Sequence, residues 1–171
     1  MTSIVRTLLS AALLATLVAA PGRAQEVRAG DLLITQAWSR ATPGGAKIGV
    51  GYLTIENKGA TPDRLTRASA EVAGKIEVHE MAMNNGVMTM RPLDKGLEID
   101  PGKTVKLAPG GSHLMLFDLK HPLNQGDQVS LTLQFEKAGE VKLSLDVQGI
   151  GAQAPAASGG KDVKKPDGMK M

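Results

Sequence analysis

Apolar side chains fall at every second position over much of this chain. Val129, Leu131, Leu133 and Phe135 alternate with other residues, as do Val141, Leu143, Leu145 and Val147, and Lys137-Ala138-Gly139-Glu140 separates the two runs. A period of two puts one side of a strand into a core and the other into water, so this stretch predicts a hairpin. Shorter runs predict further strands over Leu32 to Ala37, Ile48 to Glu56, Arg64 to Ala68, Lys75 to Met83, Val87 to Leu93, Thr104 to Leu107 and His113 to Leu119. Between them stand Pro43-Gly44-Gly45, Asn57-Lys58-Gly59, Asn84-Asn85-Gly86, Pro101-Gly102 and Pro109-Gly110-Gly111, which is turn chemistry. No window of helical length shows a 3.6-residue period. About eight or nine short strands at this spacing predict an antiparallel β-sandwich or barrel.

The ends of the chain differ from this pattern. Arg6, the apolar run Leu8 to Ala20 and Gly22-Arg23-Ala24 follow the order of a secretory signal peptide, so residues 1–24 are expected to be removed after Ala24. The run falls short of the ~20 apolar residues of a membrane span, and no second one follows. From Gly151 the composition turns to Ala, Pro, Gly, Ser, Lys and Asp. Such a segment cannot bury enough surface to offset its ordering entropy, and 151–171 is expected to be disordered. One domain, residues 25–150, remains between them.

Composition removes several functions. The chain has no Cys, which excludes a disulfide framework, a thiolate nucleophile, a Cys-ligated metal centre and a lipid anchor on an N-terminal Cys. Residues 25–150 carry 14 basic and 15 acidic side chains, and that balance leaves no electrostatic footprint for nucleic acid. One soft donor type is left: methionine.

The histidines and methionines are clustered. His79, Met81, Met83, Met88 and Met90 lie within twelve positions, and His113-x-Met115 forms a second group. Alternation puts His79, Met81 and Met83 on one side of their strand. A two-residue type I′ turn at Asn85-Gly86 would set Met83 against Met88 and Met81 against Met90, with His79 diagonal to Met90. Ile76 and Val78 mark the core side of the first strand and Leu114 and Leu116 that of the later one, so both His-x-Met groups are expected to point away from the core. Glu80 falls on the core side, which would be explained by a bulge. The competing reading is plain packing, since Met fills irregular gaps well. Thioether and imidazole donors without thiolate or carboxylate suit Cu(I), whereas Zn²⁺ is more usually held by Cys, His or carboxylate, and Ca²⁺ or Mg²⁺ needs oxygen.

His79, ten intervening residues, Met90 and then His113-x-Met115 resembles the H(M)x₁₀M…HxM signature of the periplasmic copper chaperone family PCu(A)C. The stretches Ala37-Trp38-Ser39-Arg40-Ala41-Thr42-Pro43, Gly51-Tyr52-Leu53-Thr54-Ile55-Glu56-Asn57 and Pro109-Gly110-Gly111-Ser112-His113-Leu114-Met115-Leu116 are similar too. There are 22 residues between Met90 and His113, one more than in the signature. The resemblance implies an all-β, cupredoxin-like sandwich with Greek-key connections that holds one Cu(I) through His79, Met90, His113 and Met115, with Met81 nearest to the optional methionine. It further implies delivery of copper to the dinuclear copper centre of cytochrome c oxidase, beside a thioredoxin-like copper assembly factor, in the periplasm. A carrier of this kind is not an enzyme and is expected to be a monomer.

Some residues stay open. Met169-x-Met171 is either an auxiliary copper-capturing arm, with Cu(II) as a further cargo, or an inert end. Met83 and Met88 are either cover for the site or packing. His121, in Lys120-His121-Pro122, is expected in a solvated loop. Ser112 and His113 point to opposite faces of one strand and cannot form a nucleophile-base pair. The alternative to the copper carrier is an exported ligand-binding or structural β-module without metal.

Overall fold

The alternating residues are the core. In the structure, a computed structural model that describes residues 25–156, Val129, Leu131, Leu133, Phe135, Val141, Leu143, Leu145 and Val147 are all buried. The strands are β1 Val27–Ala29, β2 Leu32–Arg40, β3 Ile48–Asn57, β4 Asp63–Ser69, β5 Lys75–Asn84, β6 Val87–Pro92, β7 Leu97–Ile99, β8 Thr104–Leu107, β9 His113–Phe117, β10 Gln128–Phe135 and β11 Glu140–Gln148. The described residues form no helix. The expected signal peptide and residues 157–171 of the expected tail lie outside the described residues.

Seven strands close into a ring in the order β2-β11-β10-β4-β5-β9-β3, and β3 pairs back onto β2. Closure removes the exposed edges that an open sheet would have to protect. The four short strands flank the ring: β1 on β2, β8 on β3, β6 on β5 and β7 on β4. All pairings are antiparallel except β2 with β11, which run parallel through Trp38 and Asp146 to Arg40 and Gln148. The antiparallel expectation is corrected at this one seam. A parallel neighbour is distant in sequence and leaves no hairpin signal.

The expected strand count is also too low, because β1 and β7 are three residues each. That length is too short to show a period. In β2 the expected end at Ala37 is overrun to Arg40 through an irregularity between Thr35 and Trp38, where Gln36 takes φ 54°. The extra residue reverses the parity of the strand. Ile34 faces the core before it; after it Trp38 turns to the opposite face, where it is buried against Tyr52, with ring centroids 4.5 Å apart and the Arg40 guanidinium 5.6 Å from the Tyr52 ring. Residues 151–156 run on beyond the expected domain end at Ile150. They are tied to Arg40, whose Nε donates to the Ala152 carbonyl at 2.6 Å.

β3 shapes the wall behind the candidate site. Gly49 and Gly51 pair with Leu116 and Leu114 of β9. A Cβ on Gly51 would stand 3.2 Å from Leu145 Cδ1 and 3.5 Å from Leu114 Cβ. The missing side chain lets Leu114 and Leu116 seat fully in the core, and β9 consequently turns His113, Met115 and Phe117 to the other face.

Candidate metal centre

The β5–β6 hairpin has the expected turn. Asn85 and Gly86 take φ 50° and 80°, as a type I′ turn requires at both central residues. Its register sets Met83 against Met88, Met81 against Met90 and His79 against Pro92. In such a hairpin the residues next to the turn, Asn84 and Val87, form a hydrogen-bonded pair, and bonded and non-bonded pairs then alternate. Both methionine pairs fall at non-hydrogen-bonded positions, where side chains approach most closely. So does Pro92, whose missing N–H is not needed there; beyond it the Leu93 N–H donates to the Val78 carbonyl at 2.9 Å.

On its other edge β5 pairs with β9, and this register brings the two sequence clusters together: His79 lies opposite His113, and Glu77 opposite Met115. The His79 and His113 ring centroids are 5.9 Å apart, and the Phe117 ring lies 5.9 Å from that of His79. Both β5 registers run through His79 without a slip. Glu80 therefore marks no bulge. It lies where β5 extends past the core, and its carboxylate accepts from Arg91 at 2.9 Å.

The His-x-Met groups do face away from the core, but His79 and His113 are each only 8% exposed. The neighbouring ring and Phe117 cover His79. Met81 and Met115 are half-buried, whereas Met83, Met88 and Met90 are exposed. The cluster is thus graded, with imidazoles inside and thioethers outside. His121 is exposed, as expected of a solvated loop residue. Met169 and Met171 lie outside the described residues.

Hydrogen bonds fix the tautomer of each ring. A carbonyl oxygen can only accept, so His113 Nδ1–H donates to Gly111 O at 3.0 Å and leaves the Nε2 lone pair free. A carboxylate can only accept, so His79 Nε2–H donates to Glu77 Oε2 at 2.9 Å and leaves the lone pair on Nδ1. The other Glu77 oxygen meets the Lys75 ammonium. The hydrogen bond from His79 and that from Lys75 hold the Glu77 carboxyl below its ordinary pKa, and the same partner raises that of Lys75. Glu77 was not among the expected site residues, although its position two before His79 already put it on the same face.

His79 Nδ1 is buried without a hydrogen-bond partner, the only such side-chain atom among the described residues. An unpaired buried polar atom costs about 1–3 kcal/mol, and such an atom calls for an explanation. Among the described residues no three His, Asp or Glu side chains form a group able to hold a metal ion. Any metal held here would take its remaining donors from thioethers, which favours a soft monovalent ion over Zn²⁺ or Ca²⁺.

Most of the described chain is similar to known proteins. Residues 32–147 match the family described as "Putative lipoprotein LpqE-like". The chain is 32% identical over 121 residues to "Putative lipoprotein Lxx21020" of Leifsonia xyli subsp. xyli, covering 71% of this chain and 72% of that protein. Among solved structures, the apo PCuAC domain from PmoF1 superposes with a TM-score of 0.63 at 33% identity, covering 73% of this chain and 99% of that domain. The copper-bound PCuAC domain from PmoF2 gives 0.63 at 28% identity over 73% and 98%. The fold is a cupredoxin-like β-sandwich. The protein belongs to the LpqE-like family, which is of the PCu(A)C type.

Proposed function

We propose that this protein is an exported copper carrier that holds Cu(I) through His79 Nδ1, His113 Nε2 and the thioethers of Met90 and Met115, with Met81 able to take the place of a departing ligand. The observation that carries the reading is the pairing of His79 with His113 across β5 and β9, with a buried Nδ1 lone pair that no group among the described residues uses. A metal ion would satisfy that atom. The copper-bound state of the PmoF2 domain supports copper as the cargo, and the donor set supports its monovalent form.

Release follows from the same chemistry. Met90 is half exposed, and a weakly basic thioether at the surface can be replaced by an acceptor's ligand while the imidazoles still hold the ion. No substrate bond need be made or broken, so the protein acts as a carrier and not as an enzyme. In this reading residues 1–24 direct export to the periplasm and the protein works as a monomer. The acceptor is the dinuclear copper centre of the cytochrome c oxidase copper subunit, served together with a thioredoxin-like assembly factor. Met169 and Met171 would then belong to a terminal arm that feeds the site, with Cu(II) as a further cargo.

Competition against a coloured Cu(I) chelator tests the binding step. One tight equivalent is expected in the native protein, and its loss in His113→Ala with the β-fold retained. An unchanged titration in that variant would reject the site. Transfer is tested by mixing the Cu(I)-loaded protein with a copper-free oxidase copper domain and following the colour of the assembled dinuclear centre.

A further inference from the structure

Two methionines of the hairpin remain outside the proposed ligand set. Met83 and Met88 are 63% and 52% exposed, a large apolar area to leave in water at the tip of a hairpin. Packing does not account for them. The opposite face holds the hairpin together, through the Glu80–Arg91 ion pair at 2.9 Å, Asn84 Nδ2 donating to Thr89 Oγ1 at 2.9 Å and Thr89 Oγ1 donating to the Ala82 carbonyl at 3.1 Å. The thioethers could be absent and these bonds would remain.

We propose that Met83 and Met88 form a second, outer station for a soft monovalent metal ion, from which the ion steps inward to Met81 and Met90. Met83 and Met88 face each other at a non-hydrogen-bonded position, where Cβ atoms stand about 4.5–5.5 Å apart. Each thioether sits on three rotatable bonds, so two sulfurs can converge on one ion from that spacing. The next row on the same face, Met81 with Met90, follows after two residues, roughly 7 Å along the strand. His79 and His113 come next. Exposure falls in the same direction, from the tip to the buried imidazoles. The tip pairing itself adds no carboxylate, hydroxyl or imidazole, so its sulfurs select Cu(I) or Ag(I) over hard cations. The station stands on the hairpin register alone; only the inward step rests on the binding site proposed above.

The test uses the protein labelled at its methionine methyl carbons and titrated with Ag(I), a redox-inert stand-in for Cu(I). The first equivalent is expected to shift the Met90 and Met115 methyls, and a second, weaker step those of Met83 and Met88. The double variant Met83→Leu, Met88→Leu keeps the apolar surface and deletes both sulfurs. It is expected to lose the second step, keep the first and load more slowly from a dilute metal supply. The proposal is overturned if the Met83 and Met88 methyls stay still, if the second equivalent shifts only Met169 and Met171, or if the double variant titrates like the native protein, as a surface for docking another protein would allow. The ring ¹⁵N shifts of His79 and His113 report the inner site separately. Still rings with moving Met83 and Met88 methyls would overturn the inner site and leave the outer station standing.

Discussion

His79 donates its Nε2–H to Glu77 Oε2 at 2.9 Å, and this one bond decides which nitrogen of His79 is free for a metal. Without the carboxylate, the proton could sit on either nitrogen. Groups that orient a ligating histidine in this way are typically worth about 10–100-fold in metal affinity. Glu77→Ala should weaken Cu(I) binding by that order and give a mixed tautomer in the long-range ¹H–¹⁵N spectrum of metal-free His79. Glu77→Gln keeps an oxygen acceptor at the same place and should retain most of both. A single unchanged tautomer in Glu77→Ala would refute the role.

The orphaned Nδ1 gives a prediction of opposite sign for stability and function. Replacing His79 by Leu removes a buried unpaired atom while keeping most of the contacts with His113 and Phe117. The metal-free variant should be as stable as the native protein or up to about 1 kcal/mol more stable in urea, with Cu(I) binding lost. A loss of stability near the ~2–5 kcal/mol of core truncations would mean that His79 is there for packing.

Methionine and leucine on opposite faces of one region should behave differently. Met88 is exposed and Leu114 fully buried behind His113. Met88→Ala should stay within about 0.5 kcal/mol of the native stability, as surface changes usually do, whereas Leu114→Ala should cost about 2–5 kcal/mol. Equal effects in denaturant titrations would contradict the assignment of faces.

Much of this arrangement could be read from residue order because β-structure encodes faces directly. Ile76, Val78, Leu114 and Leu116 mark the core side, and the alternation that buries them turns His79, His113 and Met115 the other way. The Asn85-Gly86 turn fixes its own register, and with it the two methionine pairs. Three features leave weaker traces. Pairing of β5 with β9 joins residues more than thirty positions apart, which no local pattern reveals, and it is this pairing that buries the imidazoles. The irregularity at Gln36 reverses parity within a strand and puts Trp38 and Tyr52 together outside the ring. Strands as short as β1 and β7 have no measurable period.

The outer aromatic pair carries a pH prediction. Tyr52 is the only tyrosine of the chain, and burial pushes its phenol above the ordinary value, with the Arg40 charge acting the other way. Raised folded-state ionisation means that the contribution to stability is intact below the unfolded pKa of about 10 and is lost as pH rises through the raised value. Ultraviolet titration should show the phenolate appearing above pH ~10, together with loss of structure. Ionisation at the ordinary value in a protein that remains folded would contradict the buried placement.

Copper-edge X-ray absorption on the Cu(I)-loaded protein decides whether these four side chains hold the ion, because it counts the neighbours of the metal by element. Two nitrogens and two sulfurs are expected, from His79, His113, Met90 and Met115, with the sulfur signal reduced when Met90 and Met115 are both replaced by leucine. A spectrum of nitrogen and oxygen alone, or one that those replacements leave unchanged, would contradict the account.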